Sequence, residues 1–298
     1  MKQATNWDDQ RIFLAVLEEG SLSGAARRLG LSHPTVRSRI EALEADLGTL
    51  LFTRSMAGLT PTEAAEALRE PARAMAVASE VFIRRASAPE GAIAGTVRLS
   101  VPEFMGIEVV PAMLEAIRVH HPAIRIELSL SNLPADLMAH EVDLAVRTME
   151  PRQKGLVARK VANIPLGFFA SKSYVARRGQ PLDQHQLAGH DIIGPDRNVS
   201  DLALAGEVLA SFDAAGLVLR TDSHPAQLAA ARAGLGIALV QVPVGDADPG
   251  LVRILPDFSP VDIQTWIVTH QNLARVPRVR VVFDALVAGF RAMMRSRA

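Results

Sequence analysis

The chain contains no cysteine, which excludes disulfides, thiolate metal sites and cysteine nucleophiles together and fits a reducing compartment. It has no excess of either charge. Its 32 Lys and Arg stand against 32 Asp and Glu, so no whole-chain field attracts a polyanion and any nucleic-acid site must be a local patch. Long apolar runs are missing as well. The most apolar stretch, GLGIALVQVPVG at 234–245, is broken by Gln241 and Pro243 and falls short of the roughly 20 residues that span a bilayer. The opening MKQATNWDDQ is polar and acidic where a secretory signal would carry an apolar core. The expectation is a cytoplasmic protein without a membrane segment. Short-period repeats and low-complexity tracts are also absent, which argues against solenoids and disordered tails.

Catalytic signatures are equally scarce. His120, His121, His185 and His190 do not fall into HExxH or another tight metal-ligand spacing. GLGIAL at 234–239 lacks the third glycine and the strand-before, helix-after setting of a dinucleotide loop, and neither GxSxG nor a Walker sequence occurs. The chain reads as no enzyme, with no catalytic residues, no metal and no cofactor.

The 298 residues, at about 100–200 per domain, imply two or three domains. Trp7, Ile12, Phe13, Val16 and Leu17 recur at helical spacing and Gly20 follows as a stop. The next stretch, SLSGAARRLGLSHPTVRSRIEALEADLG at 21–48, holds two further helices. Ser21 or Ser23 caps the first, whose apolar face is Leu22, Ala25, Ala26 and Leu29 and whose end is Gly30. Ser32 caps the second, with Pro34 in its first turn and Val36, Ile40, Leu43 and Leu47 as one apolar stripe. The opposite face carries Pro34, Thr35, Arg37, Ser38 and Glu41.

LLFTRSMAGLT at 50–60 predicts a small hairpin, or wing, around Met56–Gly58. Thr60-Pro61-Thr62-Glu63 then predicts a helix start with Thr60 as the cap and a long helix running to about Ala86, whose axis Pro71 should bend unless partner packing compensates. Helix, Gly turn and a second helix with polar residues at its exposed start form the order of a DNA-reading helix-turn-helix. The plainer alternative is a surface helix with solvated arginines. The whole ordered series favours the first.

SAPEGAIAG at 87–95 reads as a linker. Beyond it strands alternate with helices: TVRLSV, a helix at about 105–121, IRIELSL, a helix at about 133–140, and DLAVR. LGFFAS, DIIGP, LVLRTD, a helix at 224–233, GIALVQV, TWIVTH and a closing helix at about 277–294 follow. The pattern predicts an open α/β sheet in two lobes joined near residues 162 and 265.

The segment FLAVLEEGSLSGAARRLGLSHPTVRSRIEALEADLGTLLFTR resembles the N-terminal domain of LysR-type transcriptional regulators. GTVRLS, VDLAVR, GFFASKSY and AGLGIAL occupy places that this family fills with similar strings, so the resemblance covers almost the whole chain. His33 stands where many members have Gln, and Arg37-Ser38 reverses a common order, so the operator sequence does not carry over. The resemblance implies a multidomain protein: an all-α winged helix-turn-helix N-terminal domain (1–60), a linker and dimerisation helix (61–88), and a two-lobed α/β effector domain like the periplasmic binding proteins (89–298). Lobe I would take about 92–161 plus 266–298, and lobe II about 162–265. It also implies a homodimer or homotetramer on double-stranded DNA carrying an interrupted inverted repeat, with a small-molecule effector between the lobes.

Thr35, Arg37 and Ser38, with His33 beside them, are base-edge candidates, because Arg pairs bidentately with guanine and Thr meets a thymine methyl or an acceptor. Ser23, Ser32, Arg39 and Arg54 are candidates for positioning on phosphate. Ligands of open α/β sheets sit at the carboxyl ends of strands, which marks Ser100, Pro102, Glu103, Ser131, Asn132, Arg147 and Thr148 in one lobe. The other lobe contributes Phe169, Ala170, Asp222 and Ser223, ahead of a helix that starts near His224. Glu103 is discordant, since it would compete with an acidic effector unless protonated or paired by Arg147; the effector is then expected to carry a donor or amine. The plainer alternative leaves Glu103 exposed and neutralising a helix end. The rival reading of the whole chain is a cytoplasmic solute-binding module with an N-terminal protein-interaction domain.

Overall fold

Three left-handed glycines shape the first part of the chain. The helices α1 (Trp7–Glu19), α2 (Leu22–Leu29) and α3 (His33–Leu47) stop at Gly20, Gly30 and Gly48, whose φ angles are 64°, 66° and 69°. A Cβ at any of the three would meet nothing within 4 Å, so the dihedral demands glycine, not crowding. The starts are fixed by side chains: Asn6, Ser21 and Ser32 accept from the backbone N–H of Asp8, Gly24 and Thr35. Ser21, not Ser23, is therefore the cap of α2.

In this computed structural model residues 6–55, 58–86, 91–132, 142–151, 153–183, 187, 189–208, 216–259 and 261–295 are described. The chain divides into two units, Met1–Arg85 and Ala86–Ala298. The core of the first collects Phe13 and Val16 of α1, Ala25 of α2, Val36, Ile40 and Leu43 of α3, and Leu51. Leu47, expected in the same stripe, lies in the last turn beyond this cluster and is 43% exposed.

The wing is an antiparallel pair, β1 (Phe52–Ser55) and β2 (Gly58–Pro61), with Phe52 opposite Pro61 and Arg54 opposite Leu59; Met56 and Ala57 of its turn lie outside the described residues. Thr60 does not cap the following helix, because strand pairing takes up both Thr60 and Pro61. Thr62 is the cap instead: its hydroxyl accepts from Ala65 N–H at 3.2 Å and donates to the Leu50 carbonyl at 2.9 Å. The helix α4 (Glu63–Arg85) continues through Pro71.

The second unit is built on a nine-stranded sheet in the order β4-β3-β5-β11-β6-β9-β7-β8, with β10 also on β6. Its strands are β3 (Gly95–Val101), β4 (Ile124–Leu130), β5 (Leu144–Arg147), β6 (Leu156–Ser171), β7 (Ile192–Gly194), β8 (Leu217–Arg220), β9 (Ile237–Gln241), β10 (Leu251–Ile254) and β11 (Asp262–His270). The expected strand LGFFAS is the second half of β6, a 16-residue strand. Its first half pairs with β11 as far as Pro165, and its second half pairs with β9 and β10 from Leu166 onward. One strand therefore belongs to both lobes. The change of partners falls at Pro165–Leu166 and Val261–Asp262, a few residues from the crossovers expected near 162 and 265; a bulge between Thr265 and Trp266 marks the latter.

One continuous helix was expected at 105–121. The structure has two, α5 (Glu103–Glu108) and α6 (Val110–His120), because Pro111 lacks an N–H and its ring opposes the carbonyl four residues back. The helix expected at 133–140 and residues 87–90 of the linker lie outside the described residues, and Gly95 at the linker's end already belongs to β3. Further on come α7 (Lys172–Arg178), α8 (Val199–Val208), α9 (His224–Arg232), α10 (Val242–Ala247) and α11 (Pro277–Arg295). Of these, α7, α8 and α10, like β10, had no expectation in the sequence. Val97, Leu99, Val101, Leu144, Val146, Ile164 and Ile267 of the sheet pack with Val110 and Ile117 of α6 and Val282, Leu286 and Phe290 of α11.

The GLGIAL string has a packing explanation. Gly234 has φ 82°, and a Cβ on Gly236 would overlap the Asp191 carbonyl oxygen, the group that accepts from Ile237 N–H at 2.8 Å.

Replacing Gly30 by Ala forces a Cβ into the left-handed region at no steric contact, so urea denaturation of the full chain should show a loss of about 1 kcal/mol, near the cost of that conformation. An unchanged midpoint would contradict the dihedral argument.

Candidate nucleic-acid interface and effector cleft

The buried residues Val36, Ile40 and Leu43 anchor α3 and leave His33, Pro34, Thr35, Arg37, Ser38 and Arg39 exposed. Ser32 Oγ is committed to its own helix: it accepts from Thr35 N–H at 3.2 Å and lies 2.7 Å from Thr35 Oγ1. Arg37 Nε donates to Glu41 Oε1 at 2.7 Å, and both side chains are more than half exposed, at 51% and 59%. Such a surface pair is worth roughly 0.2–1 kcal/mol, so Arg37 can leave it for a stronger partner. Arg39 differs. Its Nη1 meets Asp9 Oδ1 at 2.9 Å, and Asp9 is buried, so this arginine ties α3 to α1. Ser23 is exposed on α2, and Arg54 lies on β1 opposite Leu59.

The sequence analysis did not single out Glu44. Its Oε1 accepts from the backbone N–H of Leu51 at 2.7 Å and Phe52 at 3.1 Å, which fastens the start of the wing to the end of α3.

In the second unit the expected residues separate into two groups. Ser100 is buried, and Arg147 Nη1 donates to the Val146 carbonyl at 2.9 Å and to Ser100 Oγ at 3.4 Å. Arg147 Nη2 is sealed from solvent without an acceptor, and burial lowers the pKa of this guanidinium. Pro102 precedes α5, Ser131 N–H donates to the Val101 carbonyl at 2.9 Å, and Thr148 is exposed beyond β5. Asn132 Oδ1 accepts from Glu103 N–H at 3.0 Å, while Glu103 Oε2 accepts from Ser223 Oγ of the other lobe at 3.3 Å. Glu103 is thus paired by Ser223; Arg147, the partner expected from the sequence, bonds to Ser100.

Phe169, Ala170 and Asp222 are differently placed. Phe169 is 1% exposed within a cluster with Leu228 and Val240, and Ala170 is buried in a second cluster with Tyr174 and Ile254. Both faces of β6 are covered there, so neither residue meets the cleft. The Asp222 carboxylate accepts from the backbone N–H of Asn198 at 3.0 Å, Arg197 at 2.9 Å and Asp196 at 2.9 Å. These bonds hold its pKa below the ordinary aspartate value. It shapes the loop before α8.

Residues 7–66 match the family described as bacterial regulatory helix-turn-helix protein, lysR family, and residues 90–291 match the LysR substrate binding domain. The chain belongs to the LysR family. It is similar to an HTH-type transcriptional regulator of Xanthomonas campestris pv. campestris, 32% identical over 295 residues that cover 94% of this chain and 84% of the relative. ClcR of Pseudomonas putida is 29% identical, over 89% of this chain and 93% of that protein. Among solved structures, full-length AphB of Vibrio cholerae matches with TM-score 0.63 at 23% identity, covering 95% of this chain and 99% of that one. Full-length CbnR, in a structure described as complexed with its target DNA, matches with TM-score 0.69 at 20% identity, covering 96% and 99%. This LysR-type transcriptional regulator therefore joins an N-terminal helix-turn-helix domain to a two-lobed α/β substrate-binding domain. Among the described residues no helix is long and apolar enough to cross a membrane, and no group of three or more His, Asp or Glu could hold a metal ion.

The LysR regulator's lobes also meet away from β6. Phe104 of α5 inserts into the apolar cluster of Ile193, Leu228, Ala231 and Val242 in the second lobe. At the other end of α5, Glu108 receives Arg232 of α9 through two bonds, at 3.0 and 2.9 Å, and Arg232 Nε also reaches Asp248 at 2.7 Å. His224, at the start of α9, lies 3.2 Å from Asp201 Oδ2, and that bond raises its pKa against the opposing effect of burial. None of these partners is legible from spacing, since 124 residues separate Glu108 from Arg232.

Two outcomes follow. Because the folded-state pKa of Asp222 is depressed, its contribution is complete above the ordinary aspartate range and is lost as pH falls through the lowered value. Asp222→Asn should therefore flatten the acid limb of stability against pH, read as urea midpoints from neutral pH downward. Arg232→Ala, which removes a partly exposed bidentate pair, should cost roughly 1 kcal/mol in the same assay.

Proposed function

We propose that this regulator reads double-stranded DNA with the exposed start of α3, as a homodimer or homotetramer on an interrupted inverted repeat. A small-molecule effector between the lobes sets its output. The observation that carries the reading is α3 itself: Thr35, Arg37 and Ser38 are exposed on one side while Val36, Ile40 and Leu43 are buried on the other. His33 and Pro34 extend that face, with Ser23 and Arg54 as phosphate positioners. The description of CbnR as complexed with target DNA supports the same use of this fold. The domain limits are 1–60, 61–88 and 89–298, the protein acts in the cytoplasm, and it is not an enzyme. Effector binding acts by differential affinity for two arrangements of the lobes.

Selection of DNA sequences by the full-length protein at two salt concentrations tests this. An interrupted palindrome should be enriched, and Arg37→Ala should lose about 1–3 kcal/mol of discrimination at one base position. Unselective, salt-sensitive binding, or none, would favour a solute-binding module with an N-terminal protein-interaction domain.

A further inference from the structure

β3 and β5 run parallel as neighbours, with Ser100 beside Ala145. Two or three residues further on, Glu103 and Arg147 leave the sheet at the same end, the end at which open α/β sheets take ligands. An acid and a base so placed would ordinarily neutralise each other. Here each turns away. Arg147 spends Nη1 on Ser100 and the Val146 carbonyl and keeps Nη2 buried without an acceptor. Glu103 receives only the hydroxyl of Ser223 on its side chain, at 3.3 Å, from across the lobes.

Of the neighbouring charges, Asp222 is held by three backbone N–H groups and His224, next to Ser223, faces Asp201 at 3.2 Å. Arg197 and Arg220 pair with Asp196 only at the surface. Among the described residues at these two neighbouring strand ends, Arg147 Nη2 is a donor without an acceptor and the Glu103 carboxylate is held by one hydroxyl. A bare carboxylate that satisfied Arg147 would confront Glu103, and a bare amine that satisfied Glu103 would leave the buried Arg147 nitrogen unmet. A ligand carrying both charges meets both groups.

Resting on the effector-cleft reading above, we infer that the effector is a small zwitterion, an amino carboxylate. Its carboxylate accepts from Arg147, and its ammonium donates to Glu103 alongside Ser223. Asn132, whose Oδ1 is occupied by Glu103 N–H, retains its amide N–H₂ for the same carboxylate.

The test uses the full-length protein and matched triplets: short α- and ω-amino acids, each with the carboxylate lacking the amino group and the amine lacking the carboxylate, by thermal shift and titration calorimetry at neutral pH. At least one zwitterion should bind at least about tenfold more tightly than either partner of its triplet, the discrimination expected when a hydrogen-bonding group is left unmet. Glu103→Gln, an isosteric change, should bring that zwitterion down to the level of its bare carboxylate, and Arg147→Gln should weaken both. A bare carboxylate as tight as its amino counterpart, no binding by any zwitterion of the series, or a preference indifferent to Glu103→Gln would each overturn the inference. The DNA selection is read separately: a specific operator with no zwitterion binding removes the ligand class alone, whereas loss of the operator removes the regulator reading beneath it.

Discussion

The second unit depends on β6 being one unbroken strand. Because its two halves hydrogen-bond to different neighbours, the two lobes share one strand, and the exchange of partners falls at Pro165–Leu166 and the adjoining Val261–Asp262. Everything at the other side of the unit is placed by that constraint. The α5 helix, delivered from the end of β3, reaches the second lobe and buries Phe104 there, and Arg232 closes on Glu108. The two lobes are thus joined by the shared strand on one side and by these side-chain contacts on the other.

The architecture was legible wherever the information lay within a few residues. Ser32 and Pro34 open α3, and Gly20 and Gly30 end α1 and α2, by caps and stops that act across one turn, and the alternation of strand and helix after residue 95 follows from local periodicity. Pro111 also carried the signal for the break between α5 and α6, but a periodic apolar pattern running through it masked the interruption. Thr60 and Thr62 offered nearly the same cap chemistry, and only strand pairing, a non-local event, decides between them.

The site was legible by position more than by role. Strand ends pointed to Ser100, Glu103 and Arg147, yet which group each would bind was hidden, because Glu103 finds Ser223 and Arg39 finds Asp9 across long stretches of chain. Phe169 shows the opposite failure. It was expected to follow the end of a strand as a cleft residue would, but it lies within β6, and cover on both faces of that strand turns it into core. Asp222 resembles a ligand acid in sequence and acts as a scaffold for a loop.

Leu51 has a further consequence for the first unit. Its amide N–H is held by the Glu44 carboxylate at the end of α3, and its carbonyl receives both the backbone N–H and the hydroxyl of Thr62 at the start of α4. A single buried residue is thereby gripped by both helices at once. The last turn of α3 and the cap of the 23-residue α4 are therefore fastened to one and the same stretch of backbone, which ties the exposed arginine face to the base of the long helix by backbone groups instead of by side-chain packing alone.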